Sequence, residues 1–187
     1  GFGSKLNVYA EELLCVALAR KHGVPVRWTE ERQEASTATI QGRGQIQDIE
    51  LAADEDGKLT AMRVRLTADM GAYLQLVTPG IPLLGAFLYA GVYDLPKAYD
   101  FSCTSVFTNM TPTDAYRGAG RPEATYAIER SMDALAAEMG IDPLELRRRN
   151  FIAPDKYPYE AFTGLIYDSG NHDGAASMAA EMIGYEA

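Results

Sequence analysis

Two runs of alternating side chains, Gln45 to Ala53 and Leu59 to Ala68, constrain the fold of this chain most strongly. Ile49, Leu51 and Ala53, then Met62, Val64 and Leu66, are separated by polar residues, the period of strands with one buried face. Asp54-Glu55-Asp56-Gly57 between them reads as a hairpin turn. A two-stranded ribbon is marginal alone, so its apolar face needs cover. Helical segments elsewhere can supply it. After Pro122, the residues Ala124, Ile128, Ser131, Met132, Leu135 and Met139 recur at helical spacing until Gly140. Asp142-Pro143-Leu144-Glu145 then offers a capping acid, a proline at the first helical position and Glu145 at the third, predicting a helix to about Asn150. Its Arg147 to Arg149 run reads as a charged last turn favoured by the helix dipole. A further helix is expected over Leu6 to His22, largely buried and capped by Ser4. A short strand is expected at Val24 to Trp28, a helix or turn at Glu30 to Ser36, a helix from Pro82 and a strand over Ala98 to Thr108. Turns fill Asn109 to Gly120, a loop runs from Phe151 to Gly164, and residues 165–187 open another unit. The fold class is α+β: a twisted, mainly antiparallel sheet with packed helices.

Composition narrows the function classes. The 187 residues carry 17 Lys and Arg against 26 Asp and Glu, a formal net charge of −9, with no basic block able to coat a phosphate backbone. Nucleic acid is therefore not an expected partner. No run approaches about 18 consecutive apolar residues, so no membrane span is expected. Cys15 and Cys103 sit in apolar surroundings and read as two buried, reduced thiols of a cytoplasmic protein. His22 and His172 are isolated, and no Cys-x-x-Cys or Cys/His cluster offers a zinc or iron–sulfur site.

Two glycine-rich turns remain as candidates for chemistry: Gly1-Phe2-Gly3-Ser4-Lys5, and Arg117-Gly118-Ala119-Gly120-Arg121. Each precedes an expected helix. Free main-chain N–H groups and a helix's positive end would there suit phosphate, carboxylate or a metal-bound oxo group. Glycine lets a bulky anion come close. Either turn alone is equally readable as an ordinary loop-to-helix connection. The spacing is wrong for a phosphate-binding P-loop, and a hairpin stands where a dinucleotide-binding unit needs a strand, helix and acid. There is no Gly-x-Ser-x-Gly, and Asp54, Glu55 and Asp56 lack the rest of a calcium loop.

Around these turns the sequence resembles the molybdenum-cofactor-binding subunit of the xanthine dehydrogenase and aldehyde oxidase family, nearest to large subunits of aerobic carbon monoxide dehydrogenase and their relatives. The resemblance rests on GFGSK at 1–5, DGKLTAMRVRLTADMGAY at 56–73, GVYDLPKAY at 91–99, TPTDAYRGAGRPEATYAIERSMDALAAEMGIDPLELRRRNFI at 111–152 and GLIYDSGN at 164–171, in the family's order. It implies a first molybdenum-cofactor-binding domain over 1–155, and a linker with the start of a second over 156–187. It implies that Gly1, Phe2 and Gly3 lie against the cofactor, with Ala115, Tyr116, Arg117 and Gly118 in the active-site loop. The backbone of Arg117 would face the metal's oxo ligand, while Gly118 and Ala119 floor the substrate pocket. No side chain is expected to ligate the metal.

The implied reaction is oxidative hydroxylation of an aldehyde or aromatic N-heterocycle, with water as the oxygen source. The implied cofactor is molybdenum-molybdopterin in its cytosine dinucleotide form. Iron–sulfur clusters and FAD would sit on an iron–sulfur subunit and an FAD-binding subunit, in a dimer of heterotrimers in the cytoplasm. Departures from the family pattern refine this. Gly118 replaces the copper-binding cysteine of true carbon monoxide dehydrogenases, which disfavours CO oxidation. Leu6 and Leu84 stand where purine oxidisers carry a glutamate and an arginine, and Ala119 where they carry a stacking phenylalanine, so a purine would find its heteroatoms unpaired. The alternatives are aerobic CO oxidation and a non-catalytic scaffold of the same fold. The family's general-base glutamate and cofactor-gripping glutamine fall outside these 187 residues, so the piece alone is expected to be inactive.

Overall fold

β1 (Gln45–Ala53) and β2 (Leu59–Asp69) form the hairpin that the alternation predicts. The computed structural model describes residues 2–95 and 98–185, so Gly1 lies outside the described residues. At the turn, the Asp54 N–H donates to the Lys58 carbonyl at 2.9 Å, and Asp54 Oδ1 accepts from the N–H groups of Asp56 and Lys58. This is an aspartate mimicking a backbone turn. β3 (Tyr99–Val106) completes a three-stranded sheet in the order β1-β2-β3. Met62 N–H donates to the Ala98 carbonyl and Met70 N–H to the Val106 carbonyl, so the bonds advance in step and β3 runs parallel to β2. The long β2–β3 connection that parallel pairing demands contains α3 (Gly80–Ala86). The β1–β2 hairpin and the short ribbon of β4 (Tyr159–Glu160) with β5 (Ile166–Tyr167) are antiparallel, and an isolated parallel bridge joins Gln41 to Thr113.

The chain divides into two units. The first comprises Gly1–Gln45, Thr67–Ile81 and Thr104–Ala119; the second comprises Ile46–Leu66, Pro82–Cys103 and Gly120–Ala187.

The second unit holds an apolar core. The buried face of β2, with Leu59, Met62 and Val64, packs with Ala124, Ala127, Ile128, Met132 and Ala136 of α4 (Arg121–Met139). Tyr89, Tyr93 and Leu146 join them, the last from α5 (Pro143–Asn150). Asp142 caps α5 as expected, accepting from the Leu144 and Glu145 N–H groups, and this main-chain donation holds its carboxyl below the usual aspartate value. Asn150 locks α5 to the hairpin. Buried to 2% exposure, it donates to the carbonyls of Gly57 and Leu146 and accepts from the Leu59 N–H. The arginine run is tied up structurally: Arg147 pairs with Glu129 and Asp133, Arg148 with Asp173, and Arg149 with Glu145. α6 (His172–Ile183) is the last described element of this unit.

The first unit differs from expectation at its start. Ser4 does not cap a long helix; Ser4–Leu6 form one 3-10 turn, and α1 runs only over Ala10–His22. Asn7 is extended, its side chain drawn to Asp114, and Glu12 caps the Tyr9 N–H instead. No residue of α1 is buried, and Leu13, Leu14 and Val16 are all more than half exposed. The apolar spacing was real, but no described residue of this unit covers it. Val24 to Trp28 form no strand, having no sheet partner among the described residues. α2 spans Arg32–Ala38. α3 starts two residues before the expected Pro82, which the first turn tolerates because the N–H groups there have no intrahelical partner. Cys15 and Cys103 are free but half-buried, not enclosed.

Candidate functional site

Both glycine turns are built from left-handed backbone. Phe2 has φ +58° and Gly3 φ +113°; Gly118 has +102° and Ala119 +38°. The first turn closes through the Leu6 N–H to the Gly3 carbonyl at 2.9 Å, and the Tyr9 hydroxyl donates to the Ser4 carbonyl at 2.6 Å. Partial burial raises that phenol above its ordinary pKa, so it remains a donor. The second turn closes through the Ala119 N–H to the Tyr116 carbonyl at 2.8 Å.

Within the first unit the two turns touch. A Cβ built on Gly3 would lie 1.6 Å from the carbonyl oxygen of Ala115, so only glycine permits this approach. The Arg117 guanidinium lies 4.9 Å from the centroid of the Phe2 ring, in cation–π range. Phe2, Gly3, Ala115, Tyr116, Arg117 and Gly118 therefore belong to one continuous surface of loops. Asp114, 2% exposed, holds it from behind: Oδ1 accepts from the N–H groups of Ala115 and Val77, and Oδ2 from the Asn7 amide. Thr78, also buried, accepts from the Gln75 N–H and donates to the Thr113 carbonyl.

The donors differ from those expected. No α-helix follows Gly3 directly. Gly120 belongs to the second unit, where its N–H donates to the Glu123 carboxylate at 3.1 Å, so the start of α4 is already capped by an anion. The N–H groups of Arg117 and Gly118, by contrast, donate to no acceptor among the described residues. Two adjacent unpaired donors in a glycine-bearing turn fit an oxyanionic, oxygen-rich ligand such as a molybdopterin complex. Among the described residues, no three His, Cys, Asp or Glu side chains gather as metal ligands, so what the loops offer is main-chain donors.

Sequence reasoning missed the residues that aim these loops. Arg43, Asn7 and Asp114 carry no motif of their own. The one available signal was Gly42-Arg43-Gly44, an arginine between glycines beside a strand; Arg43 takes φ +72°. A groove of about 430 Å³, lined in part by Ser4, Thr39, Arg43 and Tyr116, opens beside it.

Main-chain donors on converging loops make a surface suited to an anionic cofactor. Residues 1–151 match the family model of the molybdopterin cofactor-binding domain, and the chain belongs to that family. It is 39% identical over 188 residues to the carbon monoxide dehydrogenase large chain of Afipia carboxidovorans, covering 99% of this chain and 23% of that protein. It is 36% identical over 172 residues to the 6-hydroxypseudooxynicotine dehydrogenase complex subunit gamma of Paenarthrobacter nicotinovorans, covering 92% and 22%. The crystal structure of quinoline 2-oxidoreductase from Pseudomonas putida 86 superimposes with a TM-score of 0.90 at 35% identity, covering 100% of this chain and 24% of that one. The chain thus spans less than a quarter of the length of these relatives. No helix among the described residues is long and apolar enough to cross a membrane.

Proposed function

We propose that this chain forms one wall of the active site in the large subunit of a molybdenum hydroxylase. The reaction is oxidative hydroxylation of an aromatic N-heterocycle or aldehyde, with water as oxygen source. The observation that carries this reading is the contact of the two turns: Gly3 against Ala115 and Arg117 over Phe2 make one cradle from segments more than a hundred residues apart. A bound molybdenum-molybdopterin group, in its cytosine dinucleotide form, supplies the two-electron oxidation and the oxygen transfer. The chain binds and orients it. Phe2 and Gly3 would lie against it, the Arg117 and Gly118 N–H groups would donate to its oxygens, and Ala115 and Tyr116 carry the loop. Gly118 and Ala119 leave the pocket floor open to a planar substrate. Gly118 also leaves no thiol for copper, which favours hydroxylation over CO oxidation. Quinoline 2-oxidoreductase, similar over the whole chain, is named for an aromatic N-heterocycle.

In this reading residues 1–155 belong to a first cofactor-binding domain, and 156–187 link to a second. Electrons pass to iron–sulfur and FAD-binding subunits in a dimer of heterotrimers. The unbridged thiols Cys15 and Cys103 suit a cytoplasmic setting. The test is to purify the full-length subunit with its partners, measure molybdenum and pterin, and oxidise quinoline and benzaldehyde in ¹⁸O-water. Molybdenum near one per subunit and ¹⁸O in the product are expected. A metal-free, pterin-free complex, or label arriving from dioxygen instead, would overturn the proposal.

A further inference from the structure

We infer that Arg43 is a positioning residue that aims the two anion-facing N–H groups of the active-site loop; the inference rests on the molybdenum-hydroxylase reading above. Arg43 Nη2 donates to the Arg117 carbonyl at 2.5 Å and Nη1 reaches the Tyr116 carbonyl at 3.5 Å. Its guanidinium lies 5.7 Å from the centroid of the Tyr116 ring. A planar trans peptide points its C=O and N–H in opposite directions. The Tyr116 carbonyl shares its peptide plane with the Arg117 N–H, and the Arg117 carbonyl shares its plane with the Gly118 N–H. The 2.5 Å bond to the Arg117 carbonyl therefore turns the Gly118 N–H away from the guanidinium, and the Tyr116 carbonyl, held at 2.8 Å by the Ala119 N–H with Arg43 Nη1 at 3.5 Å, turns the Arg117 N–H away with it. A fork of fixed donors suits this task in a way a point charge does not. The charge also polarises the two peptides, strengthening the N–H groups as donors.

The backbone around Arg43 is shaped to deliver it. The Gln41 N–H donates to the Pro112 carbonyl and the Asp114 N–H to the Gln41 carbonyl, so residues 41–44 track the stretch leading into the loop. A Cβ on Gly42 would come within 3.1 Å of Tyr116 Cβ, and the Asp69 N–H holds the Gly44 carbonyl at 2.8 Å. Between these glycines the left-handed φ of Arg43, uncommon for a side-chain-bearing residue, points the side chain at the loop. The guanidinium is solvent-exposed, so a small molecule can replace it.

The experiment uses the full-length subunit assembled with its partners, as wild type, Arg43→Ala and Arg43→Lys. It reads molybdenum and pterin content, kcat and KM separately, and the electron paramagnetic resonance of Mo(V). Arg43→Ala is expected to keep wild-type cofactor content, lose about 10- to 100-fold in kcat with KM moving far less, and shift the Mo(V) signal. Added ethylguanidinium should recover part of kcat in Arg43→Ala and none in wild type. Arg43→Lys should fall between, keeping charge without the fork. The inference is overturned if loaded Arg43→Ala matches wild type in kcat and spectrum, or if its lost activity equals its lost molybdenum with an unchanged signal. If Arg43→Ala does not assemble, a wild-type kcat and spectrum in Arg43→Lys overturns it, and a lowered kcat with a shifted signal supports it. A wild-type complex without molybdenum and pterin brings down the underlying reading, and this inference with it.

Discussion

The two units of this chain differ in the balance of forces that holds them, although the first also buries Ile40, Ala68 and Met70. In the second, Val64, Met132, Ala136 and Leu146 are at most marginally accessible, and an apolar core joins β2, α4 and α5. In the first, the shape of the loops depends on polar pins: Asp69 Oδ1 accepting from the Gly71 N–H and the Thr108 hydroxyl, Thr113 donating to the Asp69 carbonyl, and Asp114 gathering three donors. Apolar packing is non-directional and fixes where elements lie. Hydrogen bonds are directional and fix where a carbonyl or N–H points. A site that works through main-chain donors depends on the second kind of restraint.

That contrast can be broken by experiment in the full-length complex. Met132→Ala should have the largest effect, about 2–5 kcal/mol, because the residue is fully buried and its removal leaves a cavity. Hydrogen exchange should show protection lost across α4 while the bonded N–H groups of Asp114, Ala115 and Ala119 keep theirs; the reverse pattern would refute the division. Gly3→Ala should do the opposite. Its new methyl meets the Ala115 carbonyl, forcing the turns apart, and a misplacement of about 1 Å costs on the order of 100-fold in rate, or about 2.7 kcal/mol of barrier. Turnover close to wild type in Gly3→Ala would show that the contact has no bearing on activity.

The smallest effect concerns Asp94 in the second unit. Burial raises its pKa, but hydrogen bonds from Lys156 and the Tyr159 hydroxyl outweigh this and leave the carboxyl below its ordinary value. A depressed carboxyl contributes stability that is complete above its unfolded pKa, near about 4, and is lost as pH falls through the lower folded value. Asp94→Asn should therefore be less stable than wild type at about pH 6, with the difference shrinking as pH falls below about 4. Acid titration of melting temperature reads this directly. A difference that widens toward acid pH would contradict the assignment.

Much of this architecture was legible beforehand. The period-two runs at 45–53 and 59–68, the Asp54–Gly57 turn, the 3.6 spacing of α4 and the Asp142-Pro143 start of α5 are local patterns whose causes lie within a few residues. The family was legible through the ordered motifs around the glycine turns, and the contact of those turns was found in the structure. What failed was burial and partnership. Leu13, Leu14 and Val16 have helical spacing yet face solvent in α1, and Val24 to Trp28 have strand composition but no strand to pair with among the described residues. Burial depends on what a distant segment brings, and periodicity shows only which face would accept it.

Sequence by itself determined the secondary structure of β1, β2, α4 and α5, because hydrophobic period, capping side chains and proline and glycine positions act at short range. It also determined which turns are glycine-bearing. Only the tertiary structure decided that Gly3 fits against Ala115 and that Arg43 reaches the carbonyl of Arg117. Both depend on contacts across more than seventy residues of chain. Hydrogen-bond direction at such contacts is set by the meeting of whole segments, and no local pattern of side chains encodes it.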